Sequence, residues 1–426
     1  MCRFPCVRGF AVLSLLLIMV ALLFVPGCGK PKGDATRAPS PDNMEGGVGT
    51  LPKGTPDPSN PDSSGAHPSD ASGPSPNLPE PSPDVTDPTI TNTAQGRKVK
   101  LWFGTNRAMV DSKNVSKGFT NERDPDAEKV YLGNLTCFVP NSRPFGSLGS
   151  SWWKRAITGE DDRIRLEDLA LQNDDVFYAN LRERLAAAPD PERSILVYIH
   201  GYKNSFEHAA LRAAQIAIDL NVPGLTAFYS WPSQDSLTGY TADEAAVESA
   251  ERHLQTFLTR LCRETGATRV NIIAHSMGNR VMARVAARIA GDGACKDVRF
   301  GQIFLAAPDI DAQLFADLAR AYPKVSDRTT LYVSKKDMAL EASNWTHSYA
   351  RAGYTPPMSV LPPIDTVEVT DVDVSALGHG YVSEAKHVVA DIAFLLRKNL
   401  PPHQRPRLII SATPDGKPFW LLQEKQ

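Results

Sequence analysis

The chain has 426 residues, enough for two or three domains of ordinary size, with a formal net charge of −2 and a sequence pI near 6.5. Its basic residues form no run and are not interleaved with aromatic residues, which argues against a nucleic-acid partner. No histidine or cysteine spacing matches a metal motif and no phosphate-binding glycine loop is present, so we expect neither a metal nor another cofactor.

The N-terminal residues have the pattern of a secretory signal. Arg3 and Arg8 precede an apolar run, residues 10–25, that is shorter than the ~20 residues a membrane-spanning helix needs. The run ends in "FVPGCGK", which resembles the lipobox of bacterial lipoproteins, where the signal is cut before an acylated cysteine. The resemblance implies a signal over residues 1–28, lipidation at Cys28, and a membrane-anchored protein of the bacterial cell envelope, on the periplasmic or outer-membrane face. Plain secretion and an uncleaved inner-membrane helix are the alternatives.

Composition divides the remaining chain into three parts. Residues 29–96 contain no Phe, Tyr or Trp and are dominated by Pro, Ser, Asp and Gly, which predicts a disordered tether. Residues 97–400 have the character of a folded domain, and 401–426 form a Pro-containing C-terminal tail.

Beyond the signal and the lipobox, the cysteines are Cys137, Cys262 and Cys295. One disulfide is open to them, but we favour three buried free thiols.

The folded part begins with strands and continues as a regular alternation. "VKLWFGTNR" and "KVYLGNLTCFVP" predict an antiparallel start to a sheet, followed by a helix near 175–187. "SILVYIH" is a buried strand, and Asn204 with Glu207 has the spacing of a capping box that opens the next helix. "LTAFYS", a long helix over 242–263 and "RVNIIAH" follow.

The alternation continues to the end of the domain. A helix with one apolar face ends at Gly291, and it is followed by "FGQIFLAAP", a helix over 312–321, "RTTLYVSKKD", "DTVEVTDVD" and a closing helix over 383–398. Strands alternating with helices predict an α/β fold with an open, mostly parallel central sheet and helices on both faces. Ligands bind such sheets at the carboxyl ends of the strands.

Ser276 lies at one of those strand ends, in "NIIAHSMGNRV". A serine between a strand and a helix exposes its hydroxyl above the sheet, with helix N-terminal amides directed at a developing oxyanion. The turn requires small residues two before and two after the serine, and Ala274 and Gly278 are at those positions. The alternative is a structural serine in a tight turn.

"AHSMG" resembles the nucleophile elbow of the α/β-hydrolase superfamily, usually G-x-S-x-G, with Ala274 in place of the first glycine. "VYIHGYKNSFEHAALRAAQIAIDL", "SWPSQDSLTGY" and "FLAAPDID" extend the resemblance to a bacterial branch of mostly uncharacterised, often lipoprotein, serine hydrolases. The resemblance covers about residues 99–398. It implies the α/β-hydrolase fold and a Ser-His-Asp triad.

The superfamily's order of triad residues selects the partners of Ser276. The acid usually follows the second strand after the nucleophile, which implies Asp337, with Asp309 as the alternative; helix capping is the competing role for Asp309. His379 stands in a glycine-flanked loop before the last helix, where the superfamily places its base. The other late histidines are expected to be surface residues: His347, His387 and His403.

The resemblance also implies an oxyanion hole formed by the backbone N–H groups of Met277 and Tyr202. We interpret His200 as a residue that braces this loop and His275 as a packing neighbour, rather than as bases. Possible substrate-pocket residues are Trp231, Tyr240 and Trp345, joined by Tyr349 and Tyr354. These aromatic residues could instead seal loops over the core.

The sequence therefore predicts a serine hydrolase of the esterase or lipase type, acting on a small-molecule or lipid-like ester through an acyl-enzyme. A pocket lined by the aromatic residues would suit an acyl group or aromatic ester better than a highly charged substrate. Two alternatives remain open: a non-enzymatic envelope lipoprotein that uses the fold for binding, and a peptidase or thioesterase with the same triad.

Overall fold

The computed structural model describes residues 89–150, 155, 158–159, 161–190, 192–236, 238–337, 340, 343, 349–369 and 385–423. The predicted signal, the lipidation site Cys28, most of the predicted tether, and the site residues Trp345 and His379 lie outside this part of the chain. No helix in the described part is both long enough and apolar enough to span a bilayer.

A twelve-stranded sheet runs through the described residues, and a separate two-stranded ribbon is formed by β3 and β4. The strands are β1 (Ile90–Asn92), β2 (Gly96–Thr105), β3 (Arg107–Met109), β4 (Phe119–Arg123), β5 (Tyr131–Pro140), β6 (Arg165–Gln172), β7 (Ser194–Ile199), β8 (Leu225–Ser230), β9 (Arg269–His275), β10 (Phe300–Ala306), β11 (Ser326–Val333), β12 (Asp365–Glu368), β13 (Leu408–Ala412) and β14 (Pro418–Leu422). Their order in the sheet is β13-β14-β12-β11-β10-β9-β7-β8-β2-β5-β6, with β1 beside β2.

The central part of the sheet, from β2 across to β14, is parallel throughout. Antiparallel pairs flank it: β2 with β5 and β5 with β6 on one side, and β13 with β14 on the other. The predicted antiparallel start and parallel centre are both confirmed. Parallel pairing brings the carboxyl ends of β9, β10 and β11 to one edge, because Ala306 is level with both His275 and Tyr332.

Helices cover both faces of the sheet, as predicted. They are α1 (Asp174–Ala186), α2 (Phe206–Asp219), α3 (Tyr240–Ser249), α4 (Glu251–Glu264), α5 (Gly278–Gly291), α6 (Ala312–Leu318), α7 (Tyr322–Val325) and α8 (Lys386–Lys398). Successive side chains of a strand point to opposite faces, so Val197 joins the core beneath α1 and α3–α7, whereas Leu196 and Tyr198 join the core beneath α2 and α8. This two-sided burial explains why "SILVYI" is nearly all apolar.

Two helix predictions need correction. The expected single helix over 242–263 is two helices that meet at Ala250, which has φ −81° and ψ −6°. The N-cap of α2 is Ser205, whose hydroxyl accepts the His208 N–H at 3.1 Å, and not Asn204. Asn204 uses its side-chain amide to bind the carbonyl oxygens of Gly201 and Tyr202 instead.

The sheet also extends past both predicted domain boundaries. Strand β1 lies within the segment assigned to the tether, and β13 and β14 lie within the segment assigned to the tail. The C-terminal strands are anchored by Arg405, whose side chain is wholly buried and paired with Asp391 of α8.

Cys137, Cys262 and Cys295 are free thiols; Cys137 and Cys295 are buried and Cys262 is half-buried.

Candidate active site

Ser276 occupies a strained turn between β9 and α5. Its φ of 51° lies in the left-handed region that residues with a Cβ rarely adopt, and its side chain is 4% exposed. Such strain costs of order 1–3 kcal/mol and persists only where the surroundings enforce it. The predicted position of Ser276 between a strand and a helix is confirmed.

Backbone hydrogen bonds hold this turn against the neighbouring strand. The Ser276 N–H donates to the carbonyl oxygen of Ala306 at 2.9 Å, and the Ser276 carbonyl oxygen accepts the N–H groups of Asn279 and Asp309 at 3.0 and 3.2 Å. The buried Asn279 amide adds donations to the carbonyl oxygens of Ala274, Ser276 and Ala306 at 2.9, 3.1 and 3.2 Å. Asn279 therefore ties the end of β9, the turn and the end of β10 together.

Two glycines allow the loop after β7 to approach the turn. A Cβ on Gly201 would lie 2.7 Å from the Ser276 Cβ, and a Cβ on Gly278 would lie 2.5 Å from the His200 carbonyl oxygen. Real Cβ atoms do not approach other atoms so closely. The loop containing Tyr202 can therefore contact the turn at Ser276 only because both positions are glycine.

The expected oxyanion donors lie on the two sides of this contact. Met277 caps the N-terminus of α5, and its N–H donates to no acceptor in the described part of the chain. The helix places further positive potential at this end. Tyr202 follows Gly201 in the opposing loop, its hydroxyl donates to the Ser236 carbonyl oxygen at 2.9 Å, and its ring packs edge-on against Tyr240 at 5.3 Å.

His200 is a neutral, wholly buried brace of this loop. Its Nδ1 lies 2.8 Å from the Gly201 carbonyl oxygen, which can only accept, so Nδ1 carries the proton. Its Nε2 then accepts from the Ser230 hydroxyl at 3.3 Å. Burial, reinforced by the nearby positive charge of Arg107, lowers the pKa of His200 to about 3. The geometry agrees with the interpretation of His200 as a structural residue.

Asp309 is held by donors on every side and does not cap a helix. Its carboxylate accepts the Tyr240 hydroxyl at 2.6 Å and the Ser343 hydroxyl at 2.8 Å, and the guanidinium of Arg351 lies 3.4 Å away. The N-cap of α6 is Asp311, which corrects the capping role considered for Asp309. Since the Asp309 N–H also donates to the Ser276 carbonyl oxygen, this residue supports the turn at Ser276.

Asp337 lies in the loop after β11, at the same edge of the sheet as Ser276 and with only β10 between their strands. Its side chain is fully buried, and its Oδ1 accepts the Leu340 N–H at 3.0 Å. The expected base, His379, falls between the end of β12 at Glu368 and the start of α8 at Lys386, outside the described residues.

The described pocket-candidate residues have different surroundings. Trp231 is wholly buried, stacks on His200 at 4.8 Å and donates its indole N–H to the His200 carbonyl oxygen. The geometry therefore favours the alternative that Trp231 seals a loop over the core and does not line a substrate pocket. Tyr240 lies between Tyr202 and Asp309, with its hydroxyl bonded to Asp309 and to Arg280. Tyr240 therefore joins the loop after β7 to Asp309.

An open pocket of about 540 Å³ lies where α3, α5 and the start of α6 meet. Its lining includes Glu244, Glu248, Arg280, Arg284, Leu314 and Tyr349. The arginines and glutamates pair with each other across the helices, Arg280 with Glu244 at 2.6 Å and Arg284 with Glu248 at 2.9 Å.

No cluster of His, Cys, Asp or Glu suited to a metal ion occurs among the residues that the structure describes.

Sequence reasoning missed one residue that this geometry brings to the site. Arg107, at the start of β3, is completely buried and binds the loop that contains Gly201 and Tyr202. The only signal in the sequence is an arginine directly after an apolar strand, in "LWFGTNR". That pattern is also common for an exposed strand end, so burial could not be inferred from it.

Comparison with known proteins agrees with the fold. No curated protein matches the sequence. One family model, described as an alpha/beta hydrolase of unknown function (DUF900), matches residues 174–398, more than half of the chain. The match begins at α1, includes the turn at Ser276, and ends with α8. The chain is therefore a member of this alpha/beta-hydrolase family.

Proposed function

We propose that this protein is a serine hydrolase that cleaves an ester-type substrate through an acyl-enzyme, with Ser276 as nucleophile, His379 as base and Asp337 as acid. The observation that carries the proposal is the left-handed backbone of Ser276 on the turn between β9 and α5. A structural serine would have no need of this strain, whereas in a nucleophile the strain places the hydroxyl above the strand ends, where ligands bind such a sheet.

Each further residue supplies a different part of the reaction. As Ser276 attacks the carbonyl carbon, His379 accepts its proton and Asp337 stabilises the imidazolium. The N–H groups of Met277 and Tyr202 bind the negative charge that develops on the carbonyl oxygen. The alcohol leaves with the proton from His379, and a water molecule activated by the same histidine then hydrolyses the acyl-enzyme.

Three features support these assignments. The Met277 amide has no acceptor in the described part of the chain, so it is available to an oxyanion. Asp337 is fully buried at the strand edge where Ser276 lies, and a buried carboxylate beside an imidazole holds its tautomer and orientation. In the sequence, His379 follows β12, whose carboxyl end is at the same edge.

The test is covalent labelling of the purified protein with a fluorophosphonate, followed by mass spectrometry of the labelled peptide. We expect modification at Ser276 that is lost in Ser276→Ala and His379→Ala. Ser249→Ala, on the outer helix α3, is the matched control and should label as the wild type does. A panel of p-nitrophenyl esters, thioesters and peptides then separates an esterase from a thioesterase or peptidase.

Failure of labelling in a protein whose melting transition is cooperative would refute the enzymatic proposal. In that case the fold would serve binding, as in the envelope-lipoprotein alternative. Labelling at a serine other than Ser276 would refute the assignment of the nucleophile while leaving a hydrolase.

We also propose that Cys28 is acylated and anchors the protein to a membrane of the bacterial envelope. The support is the apolar run that ends in "FVPGCGK". Metabolic labelling with an alkyne fatty acid should mark the wild type and not Cys28→Ala, and the variant should shift from the membrane fraction to the soluble fraction. Equal labelling of the two proteins would contradict the anchor.

A further inference from the structure

Arg107 is completely buried, and all three nitrogens of its guanidinium donate hydrogen bonds. Nε donates to the Ser230 hydroxyl at 2.9 Å, and Nη2 donates to the Asn204 carbonyl oxygen at 2.7 Å. Nη1 donates to the carbonyl oxygens of Thr120 and Ser233 and to Oδ1 of Asn121, at 3.2, 3.1 and 3.1 Å. All five acceptors are uncharged, and no carboxylate in the described part of the chain forms a salt bridge with Arg107.

The acceptors belong to three separate segments that meet around Arg107. Asn204 ends the loop that follows β7, which we call the oxyanion loop (residues 200–204). Ser230 ends β8 and Ser233 lies in the loop after it, whereas Thr120 belongs to β4. The guanidinium group is planar and its N–H donors point in fixed directions, so it holds the three segments at fixed distances from one another. The flexible ammonium group of a lysine would not do so.

A second path from Arg107 reaches the peptide that carries the Tyr202 N–H. The Ser230 hydroxyl accepts from Arg107 and so turns its own proton toward Nε2 of His200. Nδ1–H of His200 then donates to the Gly201 carbonyl oxygen at 2.8 Å. The Gly201 carbonyl and the Tyr202 N–H belong to one planar trans peptide and point in opposite directions. Fixing the carbonyl therefore fixes the direction of the N–H.

The side-chain amide of Asn204 fixes the same peptide from the other side. It donates to the Gly201 carbonyl oxygen at 3.2 Å and to the Tyr202 carbonyl oxygen at 2.8 Å. The Asn204 backbone is itself held by Arg107 through its carbonyl oxygen and by the Ser233 hydroxyl through its N–H at 3.0 Å. Two independent chains of hydrogen bonds thus run from one guanidinium to one peptide plane.

From this geometry we infer that Arg107 is a positioning residue for the oxyanion hole, holding the Gly201–Tyr202 peptide with its N–H directed at the carbonyl oxygen of the reacting substrate. The inference rests on the proposed function, because the hole matters only if Ser276 forms a tetrahedral intermediate. It assigns a role in the reaction to a residue outside the 174–398 region that the family model matches.

Two variants separate this role from simple support of the fold. Arg107→Lys keeps a positive charge but loses the fork, and Ser230→Ala breaks the path to His200 while removing a single oxygen atom. Arg143→Lys is the matched control, because the Arg143 side chain is only 4% exposed and also binds backbone carbonyl oxygens. Its partner Asp219 ends α2, about 20 Å along the helix from the oxyanion loop.

The activity readouts are kcat and KM for a p-nitrophenyl ester and the affinity of a trifluoromethyl ketone, which forms a hemiketal oxyanion with an active serine. We expect kcat to fall about 10- to 100-fold in Arg107→Lys and Ser230→Ala, with KM within about threefold of the wild type. The affinity for the ketone should fall by the same factor as kcat. Arg143→Lys should keep kcat whatever its melting temperature.

Hydrogen exchange measured by mass spectrometry adds a readout that does not need activity. Residues 200–204 should exchange faster in both variants than in the wild type, and as slowly as the wild type in Arg143→Lys. If Arg107→Lys does not fold, Ser230→Ala alone carries the same set of measurements.

Three results would overturn the inference: unchanged kcat in folded Arg107→Lys or Ser230→Ala, a fall in kcat with unchanged affinity for the ketone, or unchanged exchange of residues 200–204. The proposed function fails separately, through a wild type that neither labels nor hydrolyses any ester. In that event the exchange measurement still decides whether Arg107 positions the loop.

Discussion

Replacing Gly201 by alanine tests how closely the oxyanion loop must approach the nucleophile. The added Cβ would lie 2.7 Å from the Ser276 Cβ, 3.0 Å from the His275 carbonyl oxygen and 3.1 Å from the His275 Nδ1. Carbon atoms in contact are separated by about 3.5–4.0 Å, so the loop and the turn must move apart by about 1 Å. Neither side can absorb this by rotating a flexible side chain, because the contacts involve a Cβ and a backbone oxygen.

Two consequences follow from that displacement. Overpacking of a well-packed site costs about 1–3 kcal/mol, so the melting temperature should fall. A displacement of about 1 Å at the reacting groups costs about 100-fold in rate, so we expect the rate of fluorophosphonate labelling at Ser276 to fall by that factor. Labelling under pseudo-first-order conditions, quenched and quantified by intact-mass spectrometry, measures this rate directly.

The matched control is Gly291→Ala, at the end of α5. No atom lies within 4 Å of a Cβ built there, and the glycine does not require a left-handed φ. It should label at the wild-type rate and melt no lower than the wild type. If Gly201→Ala labels as fast as Gly291→Ala, the oxyanion loop does not take part in the reaction and the assignment of Tyr202 is wrong.

Three further predictions concern stability. Asn279→Ala removes three hydrogen bonds from buried carbonyl oxygens and should lower the free energy of unfolding by about 1–3 kcal/mol in urea titrations; an unchanged midpoint would contradict the role of Asn279 in the turn. Burial lowers the folded-state pKa of His200 to about 3, below its unfolded value of 6.5, so its contribution to stability is present above pH 6.5 and is lost as the pH falls toward 3. The free energy of unfolding should therefore decrease by up to ~1.4 kcal/mol per pH unit in this window, and His200→Gln should show a shallower slope than the wild type. Ending the chain at residue 400 removes β13, β14 and the buried partner of Asp391, so the truncated protein should lose several kcal/mol or fail to fold; a wild-type melting curve would show that the C-terminal strands are dispensable.

The parallel centre of the sheet was predictable because its strands are buried on both faces. Runs such as "SILVYI" are typical of a central strand, and each is followed by a segment with a helical apolar face. The break at Ala250 was not predictable, since alanine is the best helix former and no glycine or proline marks the position. The C-terminal hairpin had a signal that sequence analysis did not use: Asp415-Gly416 between two apolar runs, with Gly416 at φ 82°.

The candidate site likewise contains residues that the sequence could predict and residues that it could not. The turn at Ser276 has a local signature, because the strand, the small residues and the helix are contiguous in sequence. The role of Asn204 has no local signature, because Asn and Ser are both favourable N-cap residues. Only the tertiary contacts of Asn204 with Gly201 and Tyr202 decide which of the two caps the helix. The burial of Arg107 depends on acceptors that lie from 13 to 126 residues away in sequence, and no local pattern carries that information.

The position of β2 has a consequence for how this protein is made. Of the described strands, β2 is one of the first to leave the ribosome, yet part of one of its edges pairs in parallel with β8, and the Thr105 hydroxyl reaches the Ser230 carbonyl oxygen across 125 residues of sequence. At about 5–20 residues per second, synthesis of that interval takes roughly 6–25 s. Throughout that time β5 can pair along one edge of β2 and β1 can pair with the first part of the other edge, but the rest of that edge, Trp102–Thr105, lacks its partner β8. An open strand edge is a template for association with other chains, so the nascent protein passes through an interval of aggregation risk that ends only when β8 emerges.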